Sequence, residues 1–206
     1  MYLISAYFDQ RTTKILQKYI DRIARETGNT FMTQNHVPPH MTISAIEARN
    51  VDVLVPAMNA LQGQIGCGPV QFVSVGQLLP YVYYATPVLN RYLQELSVRI
   101  NEAVENIPET SVSTCYQPMS WLPHVTLGKT LDKEQMRVAF RVLQESFSPF
   151  EGQVTELGLA KVNPHEDVVR FALASEEEWG IINYNTGGRR WEDIFILCVM
   201  DKRFGM

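Results

Sequence analysis

The sequence carries one short pattern twice: Pro39-His40-Met41-Thr42-Ile43 and Pro123-His124-Val125-Thr126-Leu127. The two copies use two of the four histidines in the chain. In an extended strand residues i and i+2 face the same way, ~6.6 Å apart. Each copy therefore presents an imidazole and a hydroxyl on one face and turns its apolar residues, Met41 and Ile43 or Val125 and Leu127, toward a core. Imidazoles on opposite sides of one phosphorus can divide proton transfer between them. A neutral ring accepts from the attacking nucleophile and a protonated ring donates to the departing oxygen. Threonine hydroxyls can donate to the non-bridging oxygens, where charge grows as phosphorus becomes five-coordinate. Phosphoryl transfer without a metal is the chemistry this predicts. One tetrad alone says little; its repetition, each time after a loop and before a helix, is the signal.

Other residues could serve the same centre. His36, four residues before His40, is a candidate to line the cleft. No ligand cluster has zinc-type spacing, and Pro38-Pro39 excludes the regular helix of a His-x-x-x-His metal motif, so no metal site and no cofactor are expected. A nucleobase needs an aromatic platform, for which Tyr7, Phe8, Phe31, Tyr81, Tyr83, Tyr84, Tyr116 and Trp121 are candidates. Phe8, near a strand end, and Trp121, adjacent to the His124 motif, are favoured. Lys129 is a candidate to face phosphate. His165 falls in a hairpin turn and reads as solvent-exposed. Gly187-Gly188-Arg189-Arg190-Trp191 combines flexibility, charge and an aromatic ring, as a lid, a subunit contact or a solvated turn.

Positioning these residues falls to a mixed set of elements. Tyr2–Phe8 reads as a strand. Residues 10–27 place Ile15, Tyr19, Ile23 and Ala24 on one side of an amphipathic helix that Gly28 stops. Thr30–Pro39 is a loop with an extended end, and Met41–Ile46 a strand. Residues 50–62 carry a second helical stripe that Pro56 kinks or splits. Val70–Leu79 and Tyr81–Thr86 form an antiparallel pair. Pro87 opens a helix running to about Asn106. Val125–Leu127 is a strand. Asp132 precedes a helical stripe of Met136, Ala139, Phe140 and Leu143. Val154–Val162 and Val168–Ala174 form another pair, and Asp193–Met200 a last strand. Hairpin-like pairs punctuated by helices predict an α+β fold with largely antiparallel sheets. Residues 1–174 read as a single domain and 175–206 as a C-terminal extension with an added strand, packed on its own chain.

Composition sets the outer bounds. The chain has 206 residues, 46% of them hydrophobic and 19% charged, which is a globular composition. A net charge of −4 excludes a non-specific coater of duplex DNA but leaves room for a small phosphate pocket. Three cysteines, Cys67, Cys115 and Cys198, make no metal-type pair and no disulfide scaffold. No stretch has the length of a membrane span or the pattern of a signal peptide. A cytoplasmic protein, with a monomer favoured, is the expectation.

The paired tetrads, with the Trp121-Leu122-Pro123 lead-in and the helix–strand order, resemble the 2H phosphoesterase superfamily over about residues 1–174. Within it the chain is most similar to the 2′-5′ RNA ligase/cyclic phosphodiesterase branch. The resemblance implies a bilobal, duplicated α+β fold with two largely antiparallel sheets flanking a central cleft. It implies metal-independent hydrolysis of a 2′,3′-cyclic phosphate or a related RNA-end or nucleotide phosphodiester. It also implies that His124 activates water, that His40 protonates the departing 3′-oxygen, and that Thr42 and Thr126 bind phosphate. The residues themselves leave that direction open. Two departures stand out. Many relatives carry an arginine soon after the second tetrad, where this chain has Gly128-Lys129; lysine keeps the charge and loses the planar fork. Many also carry one shortly before the first, where this chain has Asn35-His36-Val37-Pro38-Pro39. Both point away from a large RNA substrate. The partner implied is a nucleotide, an RNA end or another small phosphodiester. The alternatives are 2′-5′ RNA ligation by the same histidines in reverse, and nucleotide or RNA-end binding without turnover.

Overall fold

The computed structural model of the protein describes residues 1–162 and 166–175. The expectations for His165, for Cys198, for Gly187–Trp191 and for a strand over Asp193–Met200 lie outside these residues. The elements are β1 (Tyr2–Phe8), α1 (Gln10–Thr27), α2 (Phe31–Gln34), β2 (Met41–Ala48), α3 (Val55–Leu61), β3 (Gly68–Leu78), β4 (Val82–Pro87) and α4 (Arg91–Val104). They continue with β5 (Thr110–Val112), β6 (Val125–Gly128), α5 (Lys133–Ser146), β7 (Phe150–Lys161) and β8 (Glu166–Ala172).

Local chemistry sets the helix ends. The Asp9 carboxylate accepts from the Thr12 amide at 2.9 Å and starts α1. Gly28, at φ 72, ends that helix in the left-handed region. The stripe over residues 50–62 is split: a short 3₁₀ turn covers Val51–Val53, and Pro56 lies in the first turn of α3. There its missing N–H costs nothing, so it starts a helix and does not kink one. Pro87 does not open the next helix; it ends β4, and α4 begins four residues later, at Arg91, because Asn90 caps Leu93. Asp132 and Gln135 form a reciprocal capping box for α5. The buried stripe of α5 is Met136, Ala139, Val142 and Leu143, and Phe140 is 49% exposed.

In place of two separate sheets, backbone hydrogen bonds link all eight described strands into one sheet of order β1-β2-β6-β4-β3-β7-β8. The short strand β5 lies beside β2, and β1 also pairs with β7, so the ladder closes on itself. Every strand pairing is antiparallel. β2 and β6 meet at a single pair, Met41 opposite Val125. Met41, Ile43, Val125 and Leu127 are at most 1% exposed. They share one core with Leu16, Ile20 and Ile23 of α1 and Leu93, Leu96 and Ile100 of α4. Burying each such side chain is worth roughly 1.5–3 kcal/mol, which anchors one face of the strands and leaves the other for polar residues.

Candidate active site

The Met41/Val125 pair fixes the layout of the tetrads. In an antiparallel ladder the residues flanking a matched pair are themselves cross-strand neighbours. His40 therefore lies across from Thr126, and Thr42 across from His124, all four on the face opposite Met41 and Val125. Cross-strand neighbours have Cβ atoms about 5 Å apart and diagonal ones about 7–8 Å, so the histidines occupy opposite corners of a small rectangle with the threonines at the other two. A local twofold axis through the Met41/Val125 pair relates the two copies. His40, His124 and Thr126 are half-buried, and Thr42 is buried.

Both histidines are oriented in the same way. His40 Nδ1 lies 2.8 Å from the Pro38 carbonyl oxygen, and His124 Nδ1 lies 2.9 Å from that of Leu122. A carbonyl only accepts, so Nδ1 donates in each ring and Nε2 is the nitrogen whose proton changes. Each acceptor residue directly precedes a proline, Pro39 or Pro123. The residue before a proline is held extended and the proline's own φ is fixed, so both carbonyls are aimed by covalent geometry.

Two tyrosines lie beside the histidines, at positions that the twofold does not exchange. Register places Ser5 opposite Thr42 and Ala6 opposite Met41, which brings Tyr7 beside His40; their ring centroids are 6.2 Å apart. Tyr84 lies opposite Thr126, with its ring centroid 5.2 Å from that of His124. Each tyrosine lies over a glycine of the next strand. A Cβ added to Gly158 would come 2.9 Å from Tyr7 Cε2, and one added to Gly76 would come 2.4 Å from Tyr84 Cζ. The Arg170 guanidinium lies 3.8 Å from the Tyr7 ring centroid, its Nε 2.6 Å from Glu156 Oε2 and its Nη1 3.5 Å from Asp167 Oδ2. Burial pushes the Tyr7 phenol well above its ordinary value, and the Asp167 carboxylate beside it adds to the shift, so Tyr7 stays neutral. Burial works against the Arg170 charge, but the hydrogen bond to Glu156 and the neighbouring carboxylates outweigh it and hold its pKa above the usual value.

The remaining candidates fall elsewhere. Phe8 is 5% exposed and packs edge-on against Phe72 in the core. Trp121 is also buried, and its indole N–H donates to the Thr42 carbonyl oxygen at 2.9 Å, so it braces one tetrad from the lead-in of the other. His36 is exposed in the loop after α2, at φ 49. Lys129 lies over the Phe31 ring of α2, 5.8 Å from its centroid. A shallow hollow between Ile65–Cys67 and α4 contains neither tetrad. Among the described residues no group of three or more His, Cys, Asp or Glu side chains could hold a metal ion, and Cys67 and Cys115 form no disulfide. No helix among them is long and apolar enough to cross a membrane. Tyr7, Tyr84 and Arg170 are the neighbours that sequence reasoning did not select; the two tyrosines were visible as aromatic candidates, Arg170 not at all.

Two His-x-Thr tetrads side by side on antiparallel strands, backed by helices, define the layout of a 2H phosphoesterase. The chain belongs to the 2′-5′ RNA ligase superfamily, whose family model matches residues 13–166. Members of that superfamily are phosphoesterase enzymes. Among solved structures the chain is similar to TT0787 of Thermus thermophilus, with a TM-score of 0.57 at 15% identity, covering 85% of this chain and 98% of that one. It is similar as well to E. coli LigT complexed with 3′-AMP, with a TM-score of 0.57 at 17% identity, covering 84% of this chain and 97% of LigT. LigT complexed with ATP gives a TM-score of 0.50 at 15% identity, over 84% of this chain and 96% of that one. At these identities the likeness concerns the fold. A search of curated proteins finds no match to the sequence.

Proposed function

We propose that the protein is a metal-independent phosphodiesterase that opens a 2′,3′-cyclic phosphate or a related phosphodiester on a nucleotide or at an RNA end. The observation that carries the reading is the pairing of Met41 with Val125, which supports convergence of both Nε2 atoms and both threonine hydroxyls on one phosphate. One neutral imidazole takes a proton from water as the water oxygen bonds to phosphorus. The other, protonated at Nε2, gives its proton to the ribose oxygen as the P–O bond breaks. Thr42 and Thr126 donate to the non-bridging oxygens as their charge grows. The rings end with exchanged protonation states and reset through solvent. In this reading β1, β2, β7 and β8 on one side and β6, β4 and β3 on the other act as two lobes of a duplicated unit, with the cleft along the β2–β6 seam. That LigT was solved with 3′-AMP and with ATP supports a substrate of nucleotide size.

The test is hydrolysis of nucleoside 2′,3′-cyclic phosphates, and of a short RNA ending in one, in the presence of excess chelator. The expected product is the ring-opened monophosphate. His40→Ala and His124→Ala should each keep the circular dichroism of the wild type and lower turnover by about 10²–10⁴-fold, the reach of a general acid or base. The pH–rate profile should be bell-shaped, because one ring must be neutral and the other charged. Turnover untouched by either substitution, or restored after chelation only by a divalent metal, overturns the reading. Joining of RNA halves through a 2′-5′ bond would move it to ligation, and tight binding without turnover to a binding protein.

A further inference from the structure

The two rings meet different neighbours across the ladder. Register sets Tyr7 beside His40, and continuing the Tyr84/Thr126 and Ala85/Val125 pairs by one residue sets Thr86 beside His124. The twofold therefore exchanges Tyr7 with Thr86. The lead-ins differ as well. Two consecutive prolines, Pro38 and Pro39, stiffen the chain before His40, whereas only Pro123 directly precedes His124. Leu122, whose carbonyl oxygen accepts from His124 Nδ1 at 2.9 Å, is 45% exposed, so its own side chain does little to fix that carbonyl. The residues on either side of it are tied to two other strands. The Trp121 indole N–H donates to the Thr42 carbonyl oxygen of β2 at 2.9 Å, and the Thr86 hydroxyl of β4 donates to the Pro123 carbonyl oxygen at 2.9 Å. Trp121 is buried and Thr86 half-buried. The acceptor for His124 thus lies in a strap pinned at both ends, and one of the pins is the backbone of the first tetrad.

We infer that Trp121 and Thr86 are positioning residues for His124. They hold the Leu122 carbonyl where it keeps Nδ1 protonated and Nε2 aimed between the tetrads. A single hydrogen bond of this kind adds little to stability, but it fixes the direction of a reacting atom, and a small misplacement of such an atom costs rate out of proportion. Neither residue exchanges a proton with substrate. The Trp121 tie also makes the place of the His124 ring depend on the Thr42 backbone. The two copies are thereby held in step across the β2–β6 seam, where the ladder itself has one pair. The catalytic meaning rests on the phosphodiesterase reading, but the tautomer of the ring reports the strap without turnover.

Nitrogen-15 NMR of the histidine rings, recorded above their titration range in wild type, Trp121→Phe, Thr86→Val and Thr86→Ser, is the test. Leu54→Ala, buried outside the sheet, is the control for lost stability. His124 of the wild type should be the Nδ1–H tautomer. A ring released from its carbonyl samples both tautomers. Trp121→Phe and Thr86→Val should therefore each bring in the Nε2–H form at His124 while His40 keeps its own. Thr86→Ser, which restores the hydroxyl, and Leu54→Ala should match wild type. For a cyclic phosphate, kcat should fall about tenfold in Trp121→Phe and Thr86→Val, with KM within about twofold. An unchanged His124 tautomer in Thr86→Val overturns the inference, whether or not Trp121→Phe folds. So does an equal tautomer shift in Leu54→Ala, which would make it a general effect of destabilisation. A KM that rises in Thr86→Val with the tautomer unchanged would make Thr86 a substrate contact, and overturns it too. The expected tautomer shifts in a protein that turns over no cyclic phosphate would sink the phosphodiesterase reading and leave the strap standing.

Discussion

An imidazole that donates its Nδ1 proton to a main-chain carbonyl can exchange protons with a substrate only through Nε2. His40 and His124 share this constraint, and the residue that imposes it in each case is the preceding proline. Pro123→Ala should therefore lower kcat for a cyclic phosphate by about tenfold with little change in KM, since loosening the Leu122 carbonyl misaims a reacting group without removing any contact to phosphate. Steady-state kinetics checks this, and a matching rise in KM would assign Pro123 to substrate binding. The tetrads were legible because they are local and repeated. Phe8 was favoured as a platform for its place near a strand end and Trp121 for its place beside the His124 motif, and the structure buries both. Phe8 follows Tyr7, and strand alternation sends it to the opposite face, against Phe72. Trp121 is three residues from His124, yet its indole N–H is committed to Thr42. What distinguishes Tyr7 and Tyr84 is a glycine on a neighbouring strand, which no local pattern reveals.

Two helix ends were legible from adjacent residues, Gly28 after α1 and Asp132 before α5, whereas Pro87 and Pro56 misled and other caps went unread. Asp9 is the strongest of them: its carboxylate accepts from the Thr12 amide at 2.9 Å, the Thr12 hydroxyl at 2.6 Å and the Gln153 amide at 2.9 Å, joining α1 to β7. Partial burial works against the charge, but these hydrogen bonds, led by that of the Thr12 side chain, outweigh it and hold the carboxyl below its usual value. Asp9→Ala should cost about 1–2 kcal/mol in urea unfolding at neutral pH. A carboxylate with a lowered folded pKa contributes stability that is present above its unfolded value and lost as pH falls through the folded one. The gap between wild type and Asp9→Ala should accordingly close on acidification; a gap that stays constant would mean the hydroxyl and amide contacts are not charge-dependent. The side a helix buries was less readable than its ends. On α5, Val142 is buried and Phe140 exposed, a small rotation of the stripe that only the partner helix α1 decides.

At the scale of the whole molecule the sequence indicated antiparallel pairs and intervening helices, but not that the strands would close into one continuous ladder. That outcome rests on long-range pairings, and the β2–β6 seam rests on one of them. Met41→Ala should destabilise the protein by about 2–5 kcal/mol, as for other fully buried methionines. At temperatures where the variant is still folded it should also lower kcat, because Met41 sits on the axis that sets the spacing of the histidines. Leu54→Ala, equally buried but outside the sheet, should cost similar stability and spare kcat. Parallel urea melts and kinetics on the two variants check this; equal loss of kcat in both would show that the seam has no special role.

The pairing of β7 has a consequence for how the protein is made. β1 holds a place between β2 and β7, with Tyr2 opposite both Ile46 and Lys161. β1 thus keeps one edge unpaired until β7, more than a hundred residues later, has been synthesised. Until then the nascent chain carries both tetrads with the ladder open, and closing it depends on contacts of large sequence separation, which form late and slowly. A product terminated before residue 150 would contain His40, Thr42, His124 and Thr126 and still lack the strand that joins the two ends of the ring. Closure of the ladder therefore comes with β7, after the residues proposed to perform the chemistry have been made.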